Sequence, residues 1–258
     1  MIIDDDTPIE EHSPDGVVKG YVERDYSKHP REMFAAPTEI SLIPEHEWEA
    51  IIKQQEEEQS SLEHIWLRSG QQHLDQNGQG FCWAYSVAHT IMMARARDNQ
   101  SPVRLSAHGV ACKIKGFRDE GGWCGLSADF ARKNGYPTVE EWKEKSMSRQ
   151  YDTPETWDKA KKFRITEDYV DLTRDVWGQN LTFNQVITCL LRNIPCALDF
   201  NWWGHSVCGV RAVIVERGQV GIRILNSWYG WGEQGFGTLV GSRSIPNGAV
   251  ATRQVFVN

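Results

Sequence analysis

Nowhere in the 258-residue chain does an apolar run approach the roughly 20 residues a membrane helix needs, so no membrane partner is expected. The opening stretch MIIDDDTPIEEHSPDG has neither the basic start nor the apolar centre of a secretory signal. The expectation is a cytoplasmic protein or part of an intracellular assembly, or else a mature form whose signal has gone. No two cysteines stand at CxxC spacing, which argues against a cysteine-held metal or a redox dithiol. Without a signal, Cys82, Cys112, Cys124, Cys189, Cys196 and Cys208 are expected as free thiols rather than three disulfides. The glycines of GFRDEGG and WGEQGFG lack the Lys-Ser/Thr of a phosphate loop, so nucleotide is not expected, and no cofactor or metal is implied. Basic residues are too few and scattered for nucleic acid, and the 11 tryptophans do not make a stacking surface. Internal repeats and low-complexity linkers are also missing.

What remains is an ordinary globular composition, 40% hydrophobic and 24% charged, long enough for one large domain or two lobes. The net charge of −7 is uneven. Residues 1–65 hold 17 acidic and 5 basic residues, and the rest hold 18 and 23, so an acidic arm precedes a mildly basic body. The arm has two readings: a solvated tail, or a segment docked on its own body or on a partner.

Residues 1–40 are polar and Pro-containing and predict irregular structure. Residues 44–59, PEHEWEAIIKQQEEEQ, predict a surface helix from Pro44 and the acidic first turn. CWAYSVAHTIMMARAR, from Cys82, is apolar nearly all round and predicts a buried helix stopped by DNQSP. Further helices are predicted over 126–133, closed by Asn134-Gly135, and over 182–192 with Thr182 as N-cap. After Pro195 the period becomes two. CALDF, HSVCGVRAVIVE, QVGIRILNSW, GFGTLVG and ATRQVFV read as strands, with a hairpin turn in VERGQV around Gly218. Helices in front and antiparallel strands behind indicate an α+β protein of two lobes with a cleft between them.

Cys82 starts its helix, where unpaired N–H groups and the helix dipole favour a thiolate. It is either a structural thiol or a nucleophile. His205, heading a strand, could serve as a base. Asn226 could accept the second imidazole N–H, with Trp228 and Trp231 shielding that bond. Gln76, six residues before Cys82, could donate to an oxyanion together with the Cys82 N–H. Each has an ordinary reading by itself: a strand-end histidine, a turn asparagine, a surface glutamine. His89 reads as a core histidine, and His73 and His108 have no partner at a recognisable spacing.

Together these stretches resemble the papain family of cysteine peptidases. QNGQGFCWAYS matches its Q-G-x-C-G-x-C-W-A-F-S, GHSVCGVRAVIV its histidine strand, and NSWYGWGEQGFG its N-S-W-G-x-x-W-G-E-x-G-Y. LSAHGVAC and EGGWCGLSADFARKNG are similar to its L-S-x-x-x-L-x-D-C and C-x-G-G segments. The resemblance implies a helical lobe over about 66–180 and an antiparallel β-barrel lobe over about 181–258, after an arm or divergent pro-segment over 1–65. It implies a catalytic Cys82, His205, Asn226 and Gln76, with Trp228 as shield. It also implies that Gly121 and Gly122 bind the backbone of an extended polypeptide substrate. The activity implied is endopeptidase chemistry through a thioester. Two rivals stand beside it: acyl transfer to an amine or thiol, and a structural or binding module within a larger assembly such as a virus particle. Gln79 replaces a family cysteine, Gly204 stands where Asp or Asn is common, and the family's E-R-F-N-I-N pattern is missing from residues 1–65.

Overall fold

The computed structural model describes residues 1–13, 15–29, 40–76, 78–166, 169–172 and 181–257. In chain order they form β1 (Ile2–Ile3), α1 (Ile9–His12), α2 (Glu45–Glu57), α3 (Leu62–Ser69), α4 (Cys82–Arg97), α5 (Ala107–Lys115), α6 (Cys124–Asn134), α7 (Pro154–Ala160), β2 (Tyr169–Asp171), α8 (Leu181–Leu191), β3 (Cys196–Phe200), β4 (His205–Ile214), β5 (Val220–Leu225), β6 (Phe236–Leu239) and β7 (Gly248–Thr252).

The helix from Cys82 ends where its sequence predicts, and only Arg97 of its 16 residues escapes burial. It is buried on all sides because α3, α5 and α6 pack around it while β3 and β4 cover its remaining face. The strands form one sheet in the order β1-β6-β5-β4-β3-β7-β2, antiparallel except for the β1–β6 pair. Helices α4–α6 thus make one lobe and the sheet the other. The hairpin at VERGQV forms as predicted, with Gly218 at φ +74° and the Val215 N–H on the Gln219 carbonyl at 2.8 Å.

Three expectations are corrected. Residues 1–40 are not wholly irregular: β1 pairs with β6, and the buried Ile3 explains why, since an edge strand that covers core is fixed by it. Residues 30–39 lie outside the described residues. Thr182 does not cap its helix, which starts one residue earlier, and its buried hydroxyl finds no partner among the described residues. The last strand is GAVAT rather than ATRQVFV, because its five residues are all buried against β3, whereas Val255 makes only an isolated bridge to Ile165. All six cysteines are free and buried. No helix of the described residues is long and apolar enough to cross a membrane.

The arm is tied to the body at both ends. The N-terminal ammonium pairs with Glu233 at 2.5 Å. His12 is buried edge-on to Trp202 and Trp203, and its carbonyl accepts the Trp231 indole N–H at 2.9 Å. Beyond the cleft, Arg24 pairs with Asp171 of β2 at 2.6 Å, both side chains buried.

Candidate active site

The cleft lies where the start of α4 meets the start of β4. Each of the four motif residues is brought there by a different element. Cys82 is the first residue of α4, and no side chain caps that helix start, where the Ala84 N–H turns back to the Phe81 carbonyl at 2.8 Å. His205 is the first residue of β4. Its Nε2 donates to Asn226 Oδ1 at 2.7 Å. Trp228 stacks on the imidazole with centroids 4.1 Å apart, and Trp203 meets it edge-on at 5.0 Å. The histidine's other nitrogen, Nδ1, is buried without a hydrogen-bond partner among the described residues. An imidazole with Nε2–H bound to an amide oxygen carries its lone pair on Nδ1, which is what a base needs.

Gln76 is locked from its acceptor side: its Oε1 takes the Ser227 hydroxyl at 2.5 Å, and its N–H reaches the Ser227 carbonyl at 2.9 Å. Ser227 thereby joins the oxyanion candidate to the neighbouring Asn226. Sequence reasoning passed over a second tie. The His73 imidazole donates to the Asn226 carbonyl at 2.5 Å, and the buried His89 behind it accepts the Leu74 N–H at 3.3 Å. Neither histidine had a motif to flag it, because each contact is to backbone.

The cleft is filled by the chain's own arm. The Gly122 N–H donates to the Gly20 carbonyl and the Val22 N–H to the Gly122 carbonyl, both at 2.9 Å, so Tyr21 bridges to Gly122 in parallel. On the opposite wall the Tyr21 N–H reaches the Gly204 carbonyl at 3.1 Å. Gln76 Nε2 donates both its protons, to the Val18 and Gln79 carbonyls, each at 3.0 Å. The two glycines are needed for close approach. A Cβ on Gly122 would stand 2.8 Å from the Trp83 ring, and one on Gly121 would stand 2.5 Å from Val22.

The Ser206 and Gly20 backbones lie close enough to the Cys82 thiol to pull its pKa down, against burial. The carbonyl on the Gln76 amide is that of Val18, two residues away. The arm thus lies over both the thiol and the oxyanion candidate. Its cover also suppresses charge. Burial pushes the Cys82 thiol up to about 12, against the pull of the two backbones, and pushes His205 down to about 3, against its bond to Asn226. The expectation of an acidified thiol is therefore corrected for this covered state, where desolvation outweighs the helix start. Asp199, buried in β3, is pushed up to about 6 by burial. It too was missed in the sequence, although a carboxylate inside the apolar strand CALDF is the kind of residue that could have drawn notice.

These shifts give a pH dependence. His205 and the buried His12 are both held below the usual histidine value, mainly by burial, with Arg243 and Lys19 adding to the effect at His12. A group with a depressed basic pKa binds fewer protons in the closed form than when the arm is lifted. Closure therefore weakens as pH falls below about 6.5, the ordinary histidine value, and the loss levels off near the His205 value of about 3. Asp199 works in the opposite direction, one group against two. Hydrogen exchange at the Val22 and Gly122 amides, corrected for intrinsic rate, should lose protection between pH 7 and pH 4 while Ile222 in β5 does not. Protection that is flat with pH would refute this.

No protein-family model matches the chain, and no curated protein matches it. Solved structures do. Xylellain, a cysteine protease from Xylella fastidiosa, aligns at 17% identity with a TM-score of 0.62, over 92% of this chain and 96% of its own. Procathepsin B from Trypanosoma congolense aligns at 14% identity and TM-score 0.57, over 91% and 86%. The bromelain protease from Ananas comosus, solved with an inhibitor, aligns at 16% identity and TM-score 0.53, over 75% and 98%. The chain has the papain-like fold of these cysteine proteases, mixed helix and sheet in two lobes.

Proposed function

We propose that the chain is a cysteine-type endopeptidase, held latent by residues 17–22. The carrying observation is the His205 imidazole: tied at Nε2 to Asn226, covered by Trp228, and left with a free Nδ1 at the junction where Cys82 begins α4. In this reading the arm lifts, and water and substrate reach the pair. The thiol proton then moves to His205 Nδ1, and the thiolate attacks a peptide carbonyl. The Cys82 N–H and the Gln76 proton released from the Val18 carbonyl hold the oxyanion. His205 returns its proton to the leaving amine, forming a thioester that water hydrolyses. Gly122 binds the substrate backbone through the N–H and carbonyl that now hold the arm, with Gly121 beside it leaving room for the strand, and Asn226 and Trp228 keep the ring in place.

The test is labelling with an epoxide selective for papain-like thiols, followed by peptide mapping. The expected result is single-site modification at Cys82 that disappears in His205→Ala. A second reading, a non-catalytic module, draws on the neutral covered pair and on an arm anchored at both ends. Failure to label Cys82 even with the arm displaced would select it.

A further inference from the structure

The oxyanion candidate is held from behind by a chain of polar groups. Gln76 Nε2 has two protons: one goes to the Gln79 carbonyl and the other to the Val18 carbonyl of the arm, each at 3.0 Å. With Oε1 on the Ser227 hydroxyl, the amide is fixed at both ends by the body, and only the proton on Val18 is left for a ligand. Which way that proton points depends on where Gln79 stands. The loop itself is free to vary, since Gly78 is exposed at φ +88° and Gln79 is only half-buried. Two ties hold it. The Gly80 N–H, in the same peptide unit as the Gln79 carbonyl, donates to the exposed Asp119 at 2.8 Å. The second tie is the Gln79 side chain, whose Oε1 takes the His108 Nε2–H at 2.8 Å, while the Tyr85 hydroxyl donates to His108 Nδ1 at 2.8 Å. Tyr85 lies on α4 and His108 on α5, both buried, and Phe81 meets the imidazole edge-on at 5.2 Å. An amide oxygen only accepts, which puts the ring proton on Nε2 and leaves Nδ1 to the phenol. Burial pushes the ring down to about 4, so near neutral pH it keeps that one tautomer. Sequence spacing hides this chain, because His108 stands 23 residues from Tyr85 and 29 from Gln79.

We propose that His108 is a positioning residue of the peptidase: through Gln79 it orients the Gln76 amide toward the oxyanion. This rests on the peptidase reading. Removing His108 loosens a donor and does not delete one. Loss of a whole oxyanion donor costs about 10²- to 10³-fold in kcat, and with Asp119 still holding the loop the expected loss is about tenfold. KM should move by less than about twofold, because the interaction matters where charge develops on the oxygen.

The experiment follows peptide hydrolysis by the full chain with the arm displaced by Gly20→Ala. Gln79→Met keeps the side-chain length and removes the acceptor at a half-buried position, and it should lower kcat about tenfold, as should His108→Phe. In a Gln76→Ala chain there is no amide to orient, so Gln79→Met should cost less than about twofold more. Iodoacetamide alkylation of Cys82, in which sulfur displaces iodide and no oxyanion forms, should keep its rate in Gln79→Met. An unchanged kcat in Gln79→Met would overturn the proposal. So would a loss of kcat that persists without Gln76, or one matched by an equal loss of alkylation, since either would make the chain of contacts structural only. Should His108→Phe fail to fold, the Gln79→Met and Gln76→Ala comparison decides alone. If the Gly20→Ala chain cuts no peptide at all, the peptidase reading falls first and takes this role with it.

Discussion

Gly20→Ala should raise the rate of Cys82 alkylation by about 100-fold. A Cβ at residue 20 would stand 1.8 Å from the Gly80 carbonyl oxygen and 2.1 Å from its carbon. Those are backbone atoms, and Gly80 is itself held, by its N–H on Asp119 at 2.8 Å and by the Trp83 indole on its carbonyl at 3.1 Å. No flexible side chain can move aside. Gly20 is not among the residues at positive φ, so alanine brings no backbone strain of its own and the effect is this contact alone. The arm must lift, giving up the bonds from Tyr21 and Val22 and the one from Gln76 to Val18. Forfeiting about 3 kcal/mol of closure corresponds to roughly a hundredfold in the open population, at about 1.4 kcal/mol per factor of ten. Alkylation kinetics of the two full chains read it directly. An unchanged rate would mean that the arm does not govern access to the sulfur.

The body of the molecule was legible because its signals are local. The all-round apolar helix from Cys82, the alternation after Pro195, and the asparagine and tryptophans of NSWYGWGEQGFG each carry side-chain chemistry within about a dozen residues. The occupant of the cleft was not legible. Its contacts join residues 17–22 to partners from Gln76 to Gly204, and nearly all of them are to backbone, which no residue type announces. An acidic balance over 1–65 made docking one of two readings, yet the docked segment, VVKGYV, carries no acid at all. Charge therefore pointed at the right stretch for the wrong reason. His73 and Asp199 were hidden in a similar way, the first because it holds the Asn226 carbonyl and the second because it holds the Cys124 N–H across the cleft.

In the arm-displaced chain, Cys82→Ala and His205→Ala should each cut peptide hydrolysis by about 10⁴-fold or more, and the double variant should lose little beyond either single one. The sulfur and the imidazole act as a unit: without the base the thiol stays protonated, and without the sulfur the base has nothing to activate. Asn226→Ala is expected to cost far less, about 10- to 100-fold. Its amide oxygen accepts from His205 and from the Ser227 N–H, both at 2.7 Å, so its loss frees one ring nitrogen and loosens one turn. The ring does not swing free, because Trp228 stacks on one face and Trp203 meets its edge. The wrong tautomer, with the proton on Nδ1, becomes the main source of the loss, and a fall in kcat with KM little changed is its kinetic mark. Were Asn226→Ala as damaging as His205→Ala, the amide would have to do more than orient the ring. Were Cys82→Ala to retain hydrolysis, the sulfur at the head of α4 would not be the nucleophile, and the arm across it would be guarding something else.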